Sequence, residues 1–248
     1  MKQFLLPGSY AGEPLWELGD RDYHYLVRVK RLEAGNSFPG IDKAGNRYLI
    51  RIEEIREHSL LVRIRTEGRE RVPEAGPSIT LYQCLPKGNR MDLIIRQATE
   101  AGIGAIGPVI SQYTVPAPGG ARKERWDRIV REALQQSGAA RPPVIENLLP
   151  LAEIPPISND CDRGLFFHQA PLEIKPLHRY LSGSVSRVAL VVGPEGGFSD
   201  SEAVDLERRG YFPVLLGTSI LRTETAALYA IAAVQIVLSE KKTWVLAD

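Results

Sequence analysis

The chain has 248 residues, 44% hydrophobic and 25% charged, with a formal net charge of +1. That length suits one large or two ordinary domains, each with its own core. The near-neutral balance excludes a globally basic nucleic-acid binder, so any polyanion must be met by local basic faces.

Cys84 and Cys161 stand far apart with no C-x-x-C or Cys/His spacing, which argues for two buried cysteines in a reducing compartment and against a disulfide framework or a metal site. No eighteen consecutive apolar residues occur, and Pro7 ends the first apolar run after three residues. Neither a membrane span nor a secretory signal is expected, which makes the cytoplasm the expected location.

From Phe4 to about Arg71, short strands alternate with turns. Tyr48–Ile55 and Leu60–Arg65 alternate apolar and polar residues, and Ala44-Gly45-Asn46 supplies a turn before the first of them, as in a small β-barrel or sandwich. Tyr23–Arg31 interrupts this pattern as a helix presenting His24, Arg28, Lys30 and Arg31; on the residues alone, a solvated face accounts for these charges equally well. Glu67–Gly76 is charged, contains proline and glycine, and has no apolar period. It marks a domain boundary, dividing the chain into 1–72 and 73–248.

In the second domain Ile79–Leu85 reads as a strand, followed by a loop and the helix Met91–Ala101, capped by Asn89 and facing inward through Leu93, Ile94, Ala98 and Ala101. Ile103–Ser111 is the next strand. Ala121–Gln136 is an amphipathic helix burying Trp126, Ile129, Val130, Ala133 and Leu134, with Gly138 able to end it. Gly164–His168 is a strand with His168 at its carboxyl end.

The last quarter is the most informative. Val188–Val192 is apolar without alternation, as expected of a strand covered on both faces. It runs into Gly193-Pro194-Glu195-Gly196-Gly197-Phe198, after which Ser199-Asp200-Ser201-Glu202 has the capping-box spacing for a helix reaching about Arg209. Val214–Leu216 repeats the design: a short strand, Gly217, a loop carrying Arg222, and a helix over Thr223–Ser239. Two such loops at the carboxyl ends of parallel strands would lie side by side where open α/β sheets bind ligands; two glycine-rich turns are the plainer alternative. Neither is a G-x-G-x-x-G or P-loop motif, and Glu195 would repel a pyrophosphate, so a neutral or cationic ligand is expected. Lys87 and Arg90 stand on the same edge, where cations suit a polyanion. The Thr223–Ser239 helix carries small and apolar residues on more than one face, as expected if it packs against both the sheet and a second copy in a homodimer.

GPEGGFSDSE followed by LGTSILRTETAAL closely resembles the paired C-terminal motifs of the SPOUT-class RNA methyltransferases, and within them the family that methylates N3 of a uridine in small-subunit (16S) ribosomal RNA. The resemblance implies an α/β fold: a parallel-sheet domain with a deep trefoil knot, preceded by a PUA-like β-barrel. It implies S-adenosylmethionine as cofactor, surrounded by Val192, Gly193, Gly197, Leu216, Gly217, Ile220 and Leu221, with His168 bordering the pocket. Lys87-Gly88-Asn89-Arg90-Met91 matches the family's K-G-x-R-M segment. His24–Arg31 loosely matches a barrel segment that gives Arg28 and Lys30 a phosphate-contacting role. Glu132–Gly138 is similar to an E-A-x-E-Q-S-G segment that makes Gln136 and Ser137 candidates for contacting RNA or the partner subunit. Gln112-Tyr113 stand where the family usually has arginine and serine, a departure that bears on target recognition.

For that reaction the uracil must be splayed out and its N3 proton removed. Arg222 is then the candidate for stabilising the uridinate, and Glu195 or Glu224 for accepting the proton. Rival readings are methylation of another RNA base, a transfer RNA nucleoside or a ribose hydroxyl, and a non-catalytic RNA-binding or ribosome-assembly protein. Lys87–Arg90 lacks the asparagine-glutamate-arginine motif expected of ribose-methylating relatives, which favours a base.

Overall fold

The computed structural model describes residues 2–67, 77–114, 122–168 and 175–240; most of the expected boundary stretch, residues 68–76, lies outside them. The chain divides into two compact units, Met1–Val72 with Leu134–Pro142, and Pro73–Ala133 with Pro143–Asp248.

The first unit is a curled five-stranded sheet of β1 (Phe4–Leu5), β2 (Leu15–Gly19), β3 (Ser37–Ile41), β4 (Arg47–Ile55) and β5 (Ser59–Thr66), in the order β1-β3-β4-β5-β2. All neighbours are antiparallel except β1 and β3. Alternation in β4 and β5 sends Ile50, Ile52, Leu60, Val62 and Ile64 into one core with Leu18 and Leu26. The helix expected at Tyr23–Arg31 is α1 (Asp20–Tyr23) continued by a π-helical stretch, His24–Val29. Tyr23 and Leu26 anchor it inward, while Arg28 is exposed.

Segment 134–142 belongs to this unit and not, as the sequence suggests, with the chain around it. The N–H groups of Lys2 and Gln3 donate to the Gln135 carbonyl. The Gln3 side chain donates to the carbonyls of Leu134 at 3.2 Å and Ala139 at 2.8 Å, and buried Leu134 clusters with Leu5 and Ile41.

The second unit is built on β6 (Ser78–Cys84), β7 (Ala105–Ile110), β8 (Val144–Ile145), β9 (Leu149–Pro150), β10 (Asp162–Phe167), β11 (Arg187–Val192) and β12 (Tyr211–Val214). These strands run parallel in the order β12-β10-β11-β6-β7-β8, with β9 also pairing β7. The helices are α2 (Arg90–Glu100), α3 (Arg122–Ser137), of which the part to Ala133 belongs to this unit, α4 (Leu177–Tyr180), α5 (Asp200–Arg208) and α6 (Thr223–Glu240).

Both faces of the sheet are covered, which explains the unbroken apolar run at β11. Val188, Leu190 and Val192 enter one core with residues of α2, α3, α4 and α6, and Val191 enters the other with Ala203 and Leu206 of α5. The capping box forms: the Ser199 N–H donates to Glu202 Oε2 at 2.9 Å, and the Glu202 N–H donates to Ser199 Oγ at 3.3 Å. Ser199→Ala should therefore lower stability by about 1 kcal/mol, measurable in denaturant unfolding.

Four expectations are corrected. The strand expected at Val214–Leu216 lies at Tyr211–Val214, and Leu215 and Leu216 already belong to the loop. Leu93 faces solvent, and Met91 and Ile95 join Ile94 and Ala98 inside. Asn89 occupies the N-cap position of α2 without a side-chain hydrogen bond. Of the two cysteines only Cys84 is buried; Cys161 is partly exposed.

Candidate functional site

The parallel strands of the second unit present their carboxyl ends on one edge. There the loop after β11 and the loop after β12 open into one cavity of about 640 Å³. The two loops are not on neighbouring strands: β10 runs between β11 and β12, and its end contributes Phe167 and His168 to the cavity wall. The His168 N–H donates to the Val214 carbonyl at 3.3 Å, and its ring centroid lies 6.4 Å from that of Phe198.

Glycine keeps the first loop clear of tight contacts. A Cβ on Gly193 would stand 3.2 Å from the Gly197 backbone, and one on Gly196 would stand 3.0 Å from Tyr113 Cβ. Gly197 itself has φ of 69° and Gly217 in the second loop has φ of 140°, conformations in which a Cβ is strained.

The loops are tied together underneath by a buried polar relay. Thr223 Oγ1, at the start of α6, donates to the Gly193 carbonyl at 2.7 Å. The same hydroxyl accepts from the Gln83 side-chain amide at 3.0 Å, which also donates to the Cys84 carbonyl at 2.9 Å. Gln83 is fully buried and Thr223 4% exposed. In the sequence Thr223 reads only as the start of a helix, and Gln83 carries no motif. The only signal available was a polar Gln83 inside the apolar run of β6.

Charged groups line the mouth. Arg90 Nη1 pairs with Glu195 Oε1, and the Lys87 N–H donates to the same oxygen at 3.1 Å. Arg90 Nε stands 3.7 Å from Glu224 Oε2. That oxygen is buried and makes no hydrogen bond among the described residues. The Glu224 side chain is 15% exposed, against 31% for Glu195. Arg222 is exposed and lines the cavity, with its carbonyl accepting the Ala226 N–H at 2.8 Å.

A third loop, after β7, closes on this edge. The Gln112 N–H donates to Glu202 Oε1 at 2.7 Å, so one carboxylate both caps α5 and holds the segment that carries Tyr113. Burial pushes the Cys84 thiol up to about 12, which removes it as a thiolate nucleophile.

Of the residues singled out in the sequence, Arg90, His168, Val192, Gly193, Glu195, Gly197, Leu216, Gly217, Ile220, Leu221, Arg222 and Glu224 meet around this cavity, and Lys87 joins them through its backbone. Arg28, Lys30, Gln136 and Ser137 belong to the first unit. There Lys30 Nζ lies 5.5 Å from the centroid of the Tyr25 ring. Gln136 is exposed, and Ser137 Oγ accepts the Ala139 N–H at 3.2 Å beside Gly138, whose φ is 78°. That arrangement terminates α3, so Ser137 has a capping role. Among the described residues, no His, Cys, Asp and Glu cluster could hold a metal ion, and no helix is long and apolar enough to cross a membrane.

Family models match both the parallel-sheet unit that holds this two-loop pocket and the curled sheet of the first unit. Residues 73–235 match the RNA methyltransferase domain and residues 18–65 the RNA methyltransferase PUA domain, so the chain belongs to the RNA methyltransferase family. It is 33% identical over 231 residues to ribosomal RNA small subunit methyltransferase E of Mycobacterium bovis, covering 89% of this chain and 86% of that one. To the protein of the same name from Synechocystis it is 31% identical over 217 residues, covering 87% and 71%. A crystal structure of ribosomal RNA small subunit methyltransferase E from Neisseria gonorrhoeae, bound to S-adenosyl methionine, matches with a TM-score of 0.81 at 28% identity, covering 96% of this chain and 98% of that one.

Proposed function

We propose that the chain transfers the methyl group of S-adenosylmethionine to N3 of a uridine in small-subunit (16S) ribosomal RNA. The observation that carries this reading is the cavity itself. Two glycine loops line it, and Arg222, at the end of the second loop, and Glu224, in the first turn of α6, line it as well, at the edge that also holds Lys87 and Arg90.

The residues present fit the cofactor. A Cβ on Gly193 would crowd the Gly197 backbone, and Gly197 has a positive φ of 69°; Val192, Leu216, Ile220 and Leu221 supply apolar and backbone contacts, and Glu224 Oε2, which makes no hydrogen bond among the described residues, supplies an acceptor. When bound, S-adenosylmethionine supplies an electrophilic methyl group on a sulfonium.

The protein's work is then to position the uracil and to manage its N3 proton. Arg222 stabilises the anionic uracil at a carbonyl oxygen. Glu224, whose Oε2 makes no hydrogen bond among the described residues, accepts the proton. Glu195 is held by Arg90 and by the Lys87 N–H, and its role is to keep the first loop in place. Lys87 and Arg90 also meet the RNA backbone, as do Arg28, Lys30 and Gln136. Exposed Leu228, Tyr229 and Ile236 on α6 support a second copy of the chain as partner.

The test is transfer of labelled methyl from S-adenosylmethionine to small ribosomal subunits from a methylation-deficient strain, with free 16S RNA in parallel and nucleoside analysis of the product. Label in N3-methyluridine is the expected result. Label in a different nucleoside would replace the target, and RNA binding without transfer would favour a non-catalytic assembly protein.

A further inference from the structure

Outside the pocket, the most unusual charge arrangement is on the outer face of the first unit's sheet. β4 and β5 pair so that Arg51 stands directly opposite Arg63, and Leu49 directly opposite Arg65. Alternation sends Ile50, Ile52, Val62 and Ile64 inward, so Arg47, Leu49, Arg51, Arg63 and Arg65 all project from the other face. Arg51 and Arg65 are exposed, and so is Leu49, at 38%.

Like charges directly opposite each other destabilise an antiparallel pair, and a face serving only for solubility would be expected to alternate signs. Among the described residues, the carboxylate paired with this row is Glu53. Glu53, at the irregularity between Ile52 and Glu54, accepts from Arg63 Nε at 2.6 Å. That hydrogen bond, with Arg51 and Arg65 near enough to act on it, holds the Glu53 carboxyl below its ordinary range. One carboxylate among these arginines leaves a clear positive excess on a chain whose net charge is only +1.

We infer that this arginine face is an RNA-docking surface, which grips the phosphate backbone of the ribosomal RNA with Arg51 and Arg65 while Leu49 lies against sugar or base. The inference rests on the proposed function for its partner and deepens it. Guanidinium groups pair with phosphate oxygens in a planar fork, and contacts of this kind set register without reading sequence. The surface is distinct from the basic groups around the cavity mouth and from Arg28 and Lys30 on the helical segment.

The experiment measures binding of the full chain to 16S ribosomal RNA across a salt series, for wild type and for Arg51→Gln/Arg65→Gln. Loss of two phosphate contacts should weaken binding by about tenfold or more and make the slope of log affinity against log salt shallower by roughly 1 to 2. Arg51→Lys/Arg65→Lys should recover most of the affinity. A matched loss of two charges at Arg56 and Arg187, which already pair with carboxylates, should change binding much less. Equal affinity and slope for wild type and the Arg51/Arg65 glutamine variant would overturn the inference, as would equal losses in the matched control. If wild type methylates its RNA yet the glutamine variant binds normally, only this inference falls. If the variant loses RNA affinity while wild type transfers no methyl group, the surface stands and the proposed reaction falls.

Discussion

Arg222→Ala should lower the rate of methyl transfer by about two to three orders of magnitude, the loss typical of removing one donor that stabilises developing negative charge, while S-adenosylmethionine affinity changes little. Three other charged groups of the cavity are already engaged with one another: Arg90 pairs with Glu195 and approaches Glu224. Arg222 stands apart from that cluster, exposed on the cavity wall, with its backbone fixed by the first turn of α6 through the bond from the Ala226 N–H. Among the described residues that line the cavity, it is therefore the arginine with no ion pair, placed to meet a second anion. Arg222→Lys should show an intermediate loss, since it keeps the charge and loses the planar fork. Single-turnover rates with saturating cofactor, set beside calorimetric cofactor binding, separate the chemical step from binding. Raising the pH should partly restore the alanine variant, because deprotonating N3 in solution replaces what the guanidinium favours. A wild-type single-turnover rate in the alanine variant would transfer this role to another group.

How much of this was legible in the sequence follows from the range of the interactions. The Ser199–Glu202 cap spans three residues, and both halves of it can be read directly. The glycine loops are equally local, since their spacing, the charged residues within them and the buried strand before each lie in one short stretch. β12 was misplaced by its own composition. Pro213 lacks an N–H and Phe212 is 44% exposed, features tolerated because β12 is the edge of the sheet, while the more apolar residues Leu215 and Leu216 are loop. Arg90 and Glu195 each stand out in the sequence, but their pairing joins positions 105 apart and leaves no periodic trace. The membership of segment 134–142 in the first unit is similar, because it depends on Gln3, Leu5 and Ile41 meeting a distant helix end.

The longest-range of these contacts also gives the sharpest stability prediction. Thr223→Val keeps the β-branched shape and the helix start but deletes a hydroxyl that bridges Gln83 and the Gly193 carbonyl, at 3.0 Å and 2.7 Å. Valine can neither donate to Gly193 nor accept from Gln83. The Gln83 amide keeps its bond to Cys84, so the Gly193 carbonyl bears most of the loss. An unsatisfied buried group costs about 1–3 kcal/mol, and a chain of this size should lose roughly 2–4 °C in melting temperature for each kcal/mol. The functional effect should exceed the stability effect, because the broken bond joins the first glycine loop to the helix that carries the second. With the two walls uncoupled, S-adenosylmethionine affinity should fall by about tenfold, which corresponds to about 1.4 kcal/mol of misplacement. Thr223→Ser, which restores the hydroxyl and gives up only a methyl group, should recover the affinity while leaving some of the stability loss. Thermal unfolding and calorimetric titration of both variants distinguish the outcomes. A valine variant that melts earlier yet binds the cofactor as wild type does would show that the loops are held in register by their backbones alone, and that the Gln83–Thr223–Gly193 relay serves only the core.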